Sequence, residues 1–383
     1  MPAERVQTSV AAAVLFLALV VAAGYGTGIK HLLCSARDNK HLDGQSAGSG
    51  RNSQISGPAR GDSDFYTRCH ANGVVKCVGF DSATDIAGIW GDPSGILPGE
   101  SAPVIDPAVK ASGNGSVKFT IPPKSGPGSS GAYFTNFSND LSAQFDSGEE
   151  FYVQWRQRFS PEFITTQYAG GGGWKQAIIT EGDRRGFVAP SCQDIGVILQ
   201  NTYGRKFPRV YHSCGVKDGQ YEPLHEPFGS PPTDFFLQNG VRKPGCLYTL
   251  VNSGATYMPP CVGYKPNQWM TFQVRIKIGT WYTNNNIYKH DSTVQLWVAE
   301  EGKPSVLVID FSPHDSACAA QQVSIPACQT GYDLVRVNTP LAKYGKVWLL
   351  PYNTGKIATV SYPVAYTWYD ELIISRQRIL DAR

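Results

Sequence analysis

The chain has 383 residues, 42% of them apolar, and its 34 basic against 31 acidic side chains leave a net charge of +3. That size and composition supply a substantial core, for one large domain or two ordinary ones. The near-balance of charge gives no sign of the concentrated basic face that nucleic-acid binding needs, and 40 glycines with 26 prolines leave few helix-favouring runs.

The first feature in chain order is the apolar run "SVAAAVLFLALVVAAGYG", residues 9–26, behind a short head containing Arg5. It reads as a signal peptide or an N-terminal membrane anchor, and its length is near the lower limit for a span. Small residues at Ala22 and Gly24 suit cleavage. Residues 1–34 are therefore set apart from the fold. Residues 35–63 are polar, rich in glycine and serine and without periodicity, as in a flexible linker. The domain is expected over residues 64–383. Nine cysteines agree with export to an extracytoplasmic place, secreted or at the cell surface. Cys34 is the odd one. The others fall as Cys69/Cys77, Cys192/Cys214, Cys246/Cys261 and Cys318/Cys328. Pairing of these neighbours closes the shortest loops, although spacing leaves connectivity open. No CxxC pair or histidine cluster suggests zinc. Two Asn-x-Ser sequons stand at Asn114 and Asn136.

From about Phe65 onward the pattern is β. "FYVQWRQRF" puts Phe151, Val153, Trp155 and Phe159 on one face and Tyr152, Gln154, Arg156 and Arg158 on the other. "FQVRIKI" alternates in the same way. "STVQLWVA" and "SVLVIDF" read as strands joined through the "EEGKP" turn, and "KVWLLPY" and "YTWYDELIIS" close the chain. Strands with one apolar and one polar face pack as two sheets over a shared core. The fold class is all-β, a single β-sandwich with long disulfide-pinned loops between Pro190 and Pro266.

The stretch "GGWKQAIITEGD", residues 172–183, follows a glycine run at 170–173. A nucleotide loop would continue into a helix and carry a GKS or GKT; here a strand-like run follows, so nucleotide binding is excluded. The glycines suit a mobile lip beside a groove. The outward faces mix Arg156, Arg158, Arg275, Lys277 and Lys346 with Tyr152, Gln154, Trp348 and Tyr352. Rings stack on sugar faces, cations pair with uronate carboxylates or sulfates, and amides bond to hydroxyls. The alternative reading is a solvated face, since sequence does not show whether these strands share a sheet.

In order, "GSVKFTI", "GEEFYVQWRQRFSPEF", "GGWKQAII", "NQWMTFQVRIKIG", "YGKVWLLPYN" and "YTWYDELIIS" resemble the strands of the concanavalin A-like jelly-roll polysaccharide lyases, the superfamily of alginate, glucuronan and heparin lyases. The resemblance implies a jelly roll acting on an acidic polysaccharide by β-elimination. Gln176 would then bind the uronate carboxylate and Tyr352 would be base and acid, with Asn353 and Lys346 nearby. It implies no cofactor, beyond a structural calcium ion held by Asp370 with Asp81 or Asp85. Two departures stand out. Ile178 replaces the histidine expected two residues past Gln176. "GAYFTNF", residues 131–137, carries none of the charges of the arginine-bearing strand. His212, Arg156 or Lys175 could take the missing role, His212 being pinned beside Cys214. Trp174, Lys175, Arg156, Lys346, Trp348 and Asn353 are the residues expected to touch the glycan. A glycosidase lacks its paired carboxylates here, and a serine hydrolase lacks its Gly-x-Ser-x-Gly turn. The two functions carried forward are a lyase and a non-catalytic carbohydrate-binding or surface-adhesion module. Membrane attachment through residues 1–34 remains compatible with both.

Overall fold

The computed structural model describes residues 60–171, 173–202, 207–212, 238, 261–283, 289, 291–313 and 333–383. The apolar run, Cys34, and most of the expected disulfide-pinned loop lie outside them. The alternating stretches form two antiparallel sheets. The eight-stranded sheet runs β13 (Val306–Phe311), β12 (Thr293–Ala299), β11 (Trp269–Lys277), β7 (Glu150–Phe159), β15 (Ala365–Ser375), β4 (Ser116–Ile121), β3 (Val104–Asp106), with β1 (Val74–Val78) beside β15. The seven-stranded sheet runs β10 (Pro208–His212), β9 (Val197–Thr202), β8 (Gly173–Glu181), β14 (Tyr344–Asn353), β6 (Ala132–Asn136), β2 (Ser94–Leu97), with β5 (Gly128–Ser129) beside β14. The protein is a jelly-roll β-sandwich.

Alternation explains the core. Phe151, Val153, Trp155 and Phe159 of β7 and Phe272, Val274 and Ile276 of β11 face Tyr133, Ile179, Val197, Leu199, Val347 and Leu349 of the other sheet. Each such side chain is stabilised by about 1.5–3 kcal/mol on leaving water. One polar network crosses this core. Gln176 Nε2 donates to Gln157 Oε1 at 3.0 Å, Gln157 Nε2 donates to Thr367 Oγ1 at 2.9 Å, and Tyr369 OH donates to the Gln176 carbonyl at 2.9 Å. Tyr264 OH completes it by donating to Gln176 Oε1. Satisfied buried amides and hydroxyls fix one arrangement of the sheets, because any slip would leave them unpaired.

A helix that the sequence reading did not expect, α1 (Arg60–Cys69), lies across the predicted end of the linker. Its Arg68 is buried. Nε donates to Asp64 at 2.9 Å, Nη1 to Gln154 at 2.8 Å, and Nη2 pairs with Glu371 of β15. The backbone N–H of Arg383 reaches Asp64 as well, at 3.2 Å. Cys69 and Cys77, one of the neighbouring pairs with the shortest loops, are joined and tie α1 to β1. Cys192 and Cys261 each take part in a disulfide as well, while Cys214, Cys246, Cys318 and Cys328 lie outside the described residues. Closing a loop this short removes roughly 2–3 kcal/mol of unfolded-chain entropy. The double variant Cys69→Ser/Cys77→Ser should lose about that much in urea denaturation, with the β circular-dichroism signal retained.

Candidate functional site

The mixed outward face expected from the sequence divides between two surfaces. Arg156 belongs to the eight-stranded sheet, whose outer side α1 adjoins. It is buried, 3.5 Å from Glu371 and 3.8 Å from Glu301. Lys346, Trp348 and Tyr352 belong to β14 of the opposite sheet, so Arg156 shares no groove with them.

Within the seven-stranded sheet, a bulge decides the faces of β8. The β8–β9 register shifts between Lys175 and Ala177. Trp174, Ala177 and Ile179 join the inter-sheet core and Ile178 joins the outer cluster. Gln176 is fully buried in the core network. A residue held between the sheets by Gln157 and Tyr264 does not bind a substrate carboxylate, and Gln176 and Ile178 do not share a face. Trp174 is likewise a core residue, its ring 4.4 Å from Phe163 and 4.8 Å from Tyr264. His212 pairs in register with Val197, a core residue, and is buried on that side. Asn353 is paired with Trp174 and buried, its Oδ1 accepting from the Gly355 N–H at 2.6 Å.

Lys346 does lie on the outer side, yet it is fully buried. Its Nζ donates to Asp183 Oδ1 at 2.8 Å and stands about 5 Å from the rings of Trp90, Phe134 and Trp348. Burial pulls the ammonium below its usual range, and the Asp183 hydrogen bond opposes that. Trp348 is 1% exposed, with Trp90 at 5.3 Å against it. Neither side chain is open to a glycan. Trp348 makes this half of the outer face an apolar cluster with Ala132, Phe134, Ile178, Ile198 and Leu350.

At the other end of the same face the character changes. Lys175 is opposite Tyr352 of β14 in register and opposite Gln200 of β9, and Gln200 is opposite Arg209 of β10. Lys175, Gln200, Tyr211 and Tyr352 are half-buried. Lys175 Nζ lies 4.8 Å from the Tyr352 ring centre, 5.9 Å from that of Tyr211 and 3.4 Å from Cys192 Sγ. Burial pulls the Lys175 ammonium down to about 8, so an appreciable fraction is neutral amine near physiological pH. Burial pushes the Tyr211 phenol up, opposed by the Arg209 charge and reinforced by Tyr352. An amine that gains and loses a proton near neutrality, held over a phenol, can move protons. Of the residues selected from sequence, the structure brings Lys175 and Tyr352 together. Tyr211, Arg209 and Gln200 were missed. The alternation in "RVYH" carries the signal, since Arg209 and Tyr211 fall opposite the apolar Val210.

The glycine run is a packing contact. Gly170 N–H donates to the Gly355 carbonyl at 2.9 Å, and a Cβ on Gly355 would stand 1.5 Å from the Gly171 carbonyl oxygen. Gly171 itself has φ +70°. The expected mobile lip is thus held backbone to backbone against the segment following Tyr352. Gly355→Ala should cost more than about 1 kcal/mol, read as a lowered urea midpoint.

Of the three aspartates considered for calcium, Asp370 and Asp81 meet at one turn, where each accepts backbone N–H groups, and Asp85 serves another. Asp370 accepts the Ala111 N–H at 2.8 Å, Asp85 accepts the Ser82 N–H at 3.1 Å, and Asp81 accepts the Asn114 N–H. Among the described residues no group of three or more His, Cys, Asp or Glu side chains could hold a metal ion.

No protein-family profile matches the sequence, and no curated protein is similar to it. Among solved structures, the fold is similar to endo-β-1,4-glucuronan lyase from Trichoderma reesei, at 12% identity and TM-score 0.37, over 71% of this chain and 86% of that one. It is similar to the PL-14 alginate lyase of Aplysia kurodai, at 11% and 0.44, over 79% and 98%. The alginate lyase vAL-1 from Chlorella virus matches at 10% and 0.38, over 79% and 100%.

Proposed function

We propose that this chain is an extracytoplasmic lyase that cleaves an acidic polysaccharide by β-elimination, with Lys175 and Tyr352 as the reacting groups. The observation that carries the reading is the placement of the desolvated Lys175 amine 4.8 Å from the Tyr352 ring on the half-open end of one sheet face. In its neutral form the amine takes the C5 proton of a uronate. The released electron pair forms the C4–C5 double bond as the C4–O bond breaks. The Tyr352 hydroxyl gives its proton to the departing oxygen, and solvent restores both groups. Gln200, in register beside Lys175, supplies the amide that Gln176 cannot, donating to the uronate carboxylate so that the C5 proton becomes more acidic. The Tyr211 and Tyr352 rings offer apolar faces to the sugars.

The binding-module reading draws on a different observation: the adjoining half of the face is apolar, and β6 presents Phe134 where charged residues would read a second carboxylate. One experiment separates the two. The wild type and Tyr352→Phe are assayed for absorbance of the unsaturated uronate product on alginate, glucuronan, pectate and glycosaminoglycans. Product from the wild type and none from Tyr352→Phe, with affinity within a few-fold, is expected. No product from any polymer, with binding intact in both, would leave the chain a binding module.

A further inference from the structure

The two Asn-x-Ser sequons occupy opposite environments. Asn136, on β6, is 1% exposed. Its Nδ2 donates to Asp183 Oδ2 at 2.8 Å and to the Pro93 carbonyl at 3.2 Å, and its Oδ1 accepts the Asp183 N–H at 2.9 Å. That carboxylate is the one that neutralises buried Lys346. A sugar on Asn136 Nδ2 would displace Asp183 and leave the ammonium buried without its counter-charge. Asn114 is exposed at a turn between Gly113, at φ +62°, and Gly115. Its turn is held through the backbone alone. The Ala111 N–H goes to Asp370 at 2.8 Å, the Gly113 N–H to Asp62 at 2.6 Å, and the Asn114 N–H to Asp81. Carboxylates from α1, from β15 and from the loop after β1 thus fix the turn, and the Asn114 amide group takes no part in fixing it.

We propose that Asn114 is an N-linked glycosylation acceptor and that Asn136 is not. The donor is a lipid-pyrophosphate-linked oligosaccharide, as used in secretory pathways. The Asn114 nitrogen bonds to the anomeric carbon, the sugar–phosphate bond breaks, the lipid pyrophosphate departs, and the amide gives up one proton. The glycan then sits at the start of β4, in the eight-stranded sheet, whereas Lys175 and Tyr352 belong to the other sheet. The proposal is independent of the lyase reading.

The test is expression of the full chain in eukaryotic secretory cells, with N-glycanase treatment and peptide mass spectrometry of the secreted protein. One glycan per chain, mapped to Asn114, is expected. Asn114→Gln should abolish it. Ser138→Ala, which removes the second sequon while leaving Asn136 in place, should leave it unchanged. Absence of any N-glycanase shift overturns the proposal, and so does a glycan found on Asn136 in the secreted protein.

Discussion

Lys175→Arg is expected to lower turnover by about 10²–10⁴-fold, the usual contribution of one positioned general base, while glycan affinity changes little. Arginine keeps the positive charge but does not lose its proton at accessible pH, so the substitution separates charge from proton transfer. The wild-type pH profile gives a second readout. Only the neutral amine can accept the C5 proton. With the Lys175 amine at about 8, activity should climb roughly tenfold per pH unit below that value and level off above it. The direction follows from the cause: burial disfavours the ammonium and brings its deprotonation down toward neutrality. A profile flat between pH 6 and pH 9, or an arginine variant that retains activity, would remove Lys175 from the reaction.

Lys346→Met should be the most damaging change to the fold, at about 3–5 kcal/mol. The ammonium is fully buried beside the rings of Trp90, Phe134 and Trp348, and its removal leaves the buried Asp183 carboxylate without a cation. The remaining donors to Asp183, Asn136 Nδ2 and the Ala189 N–H, carry no full charge. The compound variant Lys346→Met/Asp183→Asn should regain part of the loss, because both charges are gone. Urea denaturation of the two single variants and the pair forms a cycle that isolates the coupling. If each single change costs under about 1 kcal/mol, the pair is not the buried ion pair described here.

The strands were legible because most alternate regularly: β7, β11 and β12 put their apolar residues inward as alternation predicts, whereas β15 shifts its register between Asp370 and Ile373. What failed was phase and partnership. A bulge in β8 turns Gln176 toward the core, and nothing in "WKQAII" marks the extra residue. Lys346 looks solvent-facing by alternation, yet Trp90 and Asp183, distant in sequence, enclose it. Arg156 and Tyr352 carry similar patterns but belong to different sheets, since strand order depends on long-range pairing. Helix α1 was missed because its polar sequence continues the composition of the linker before it. Lys175 and Tyr352 were both named from sequence; their meeting depends on the β8–β14 register.

The fastening of α1 has a mechanical side. Arg68 ties the first helix to Glu371 and Gln154, the Cys69–Cys77 bond ties it to β1, and Arg383 at the far end of the chain touches the same helix through Asp64. A tension transmitted through the residues before Arg60 would therefore meet a crosslinked anchor point before it reached any strand of the sandwich. Force would be passed to β1 and β15 together, along the antiparallel ladder that runs from the Val74–Ser375 pair to the Val78–Leu372 pair. In a pulling experiment this junction should give way late while the disulfide is intact, and early once it is reduced. A domain held by its N-terminal end and tugged by a long polymer would keep its sheet faces undeformed under such a pull.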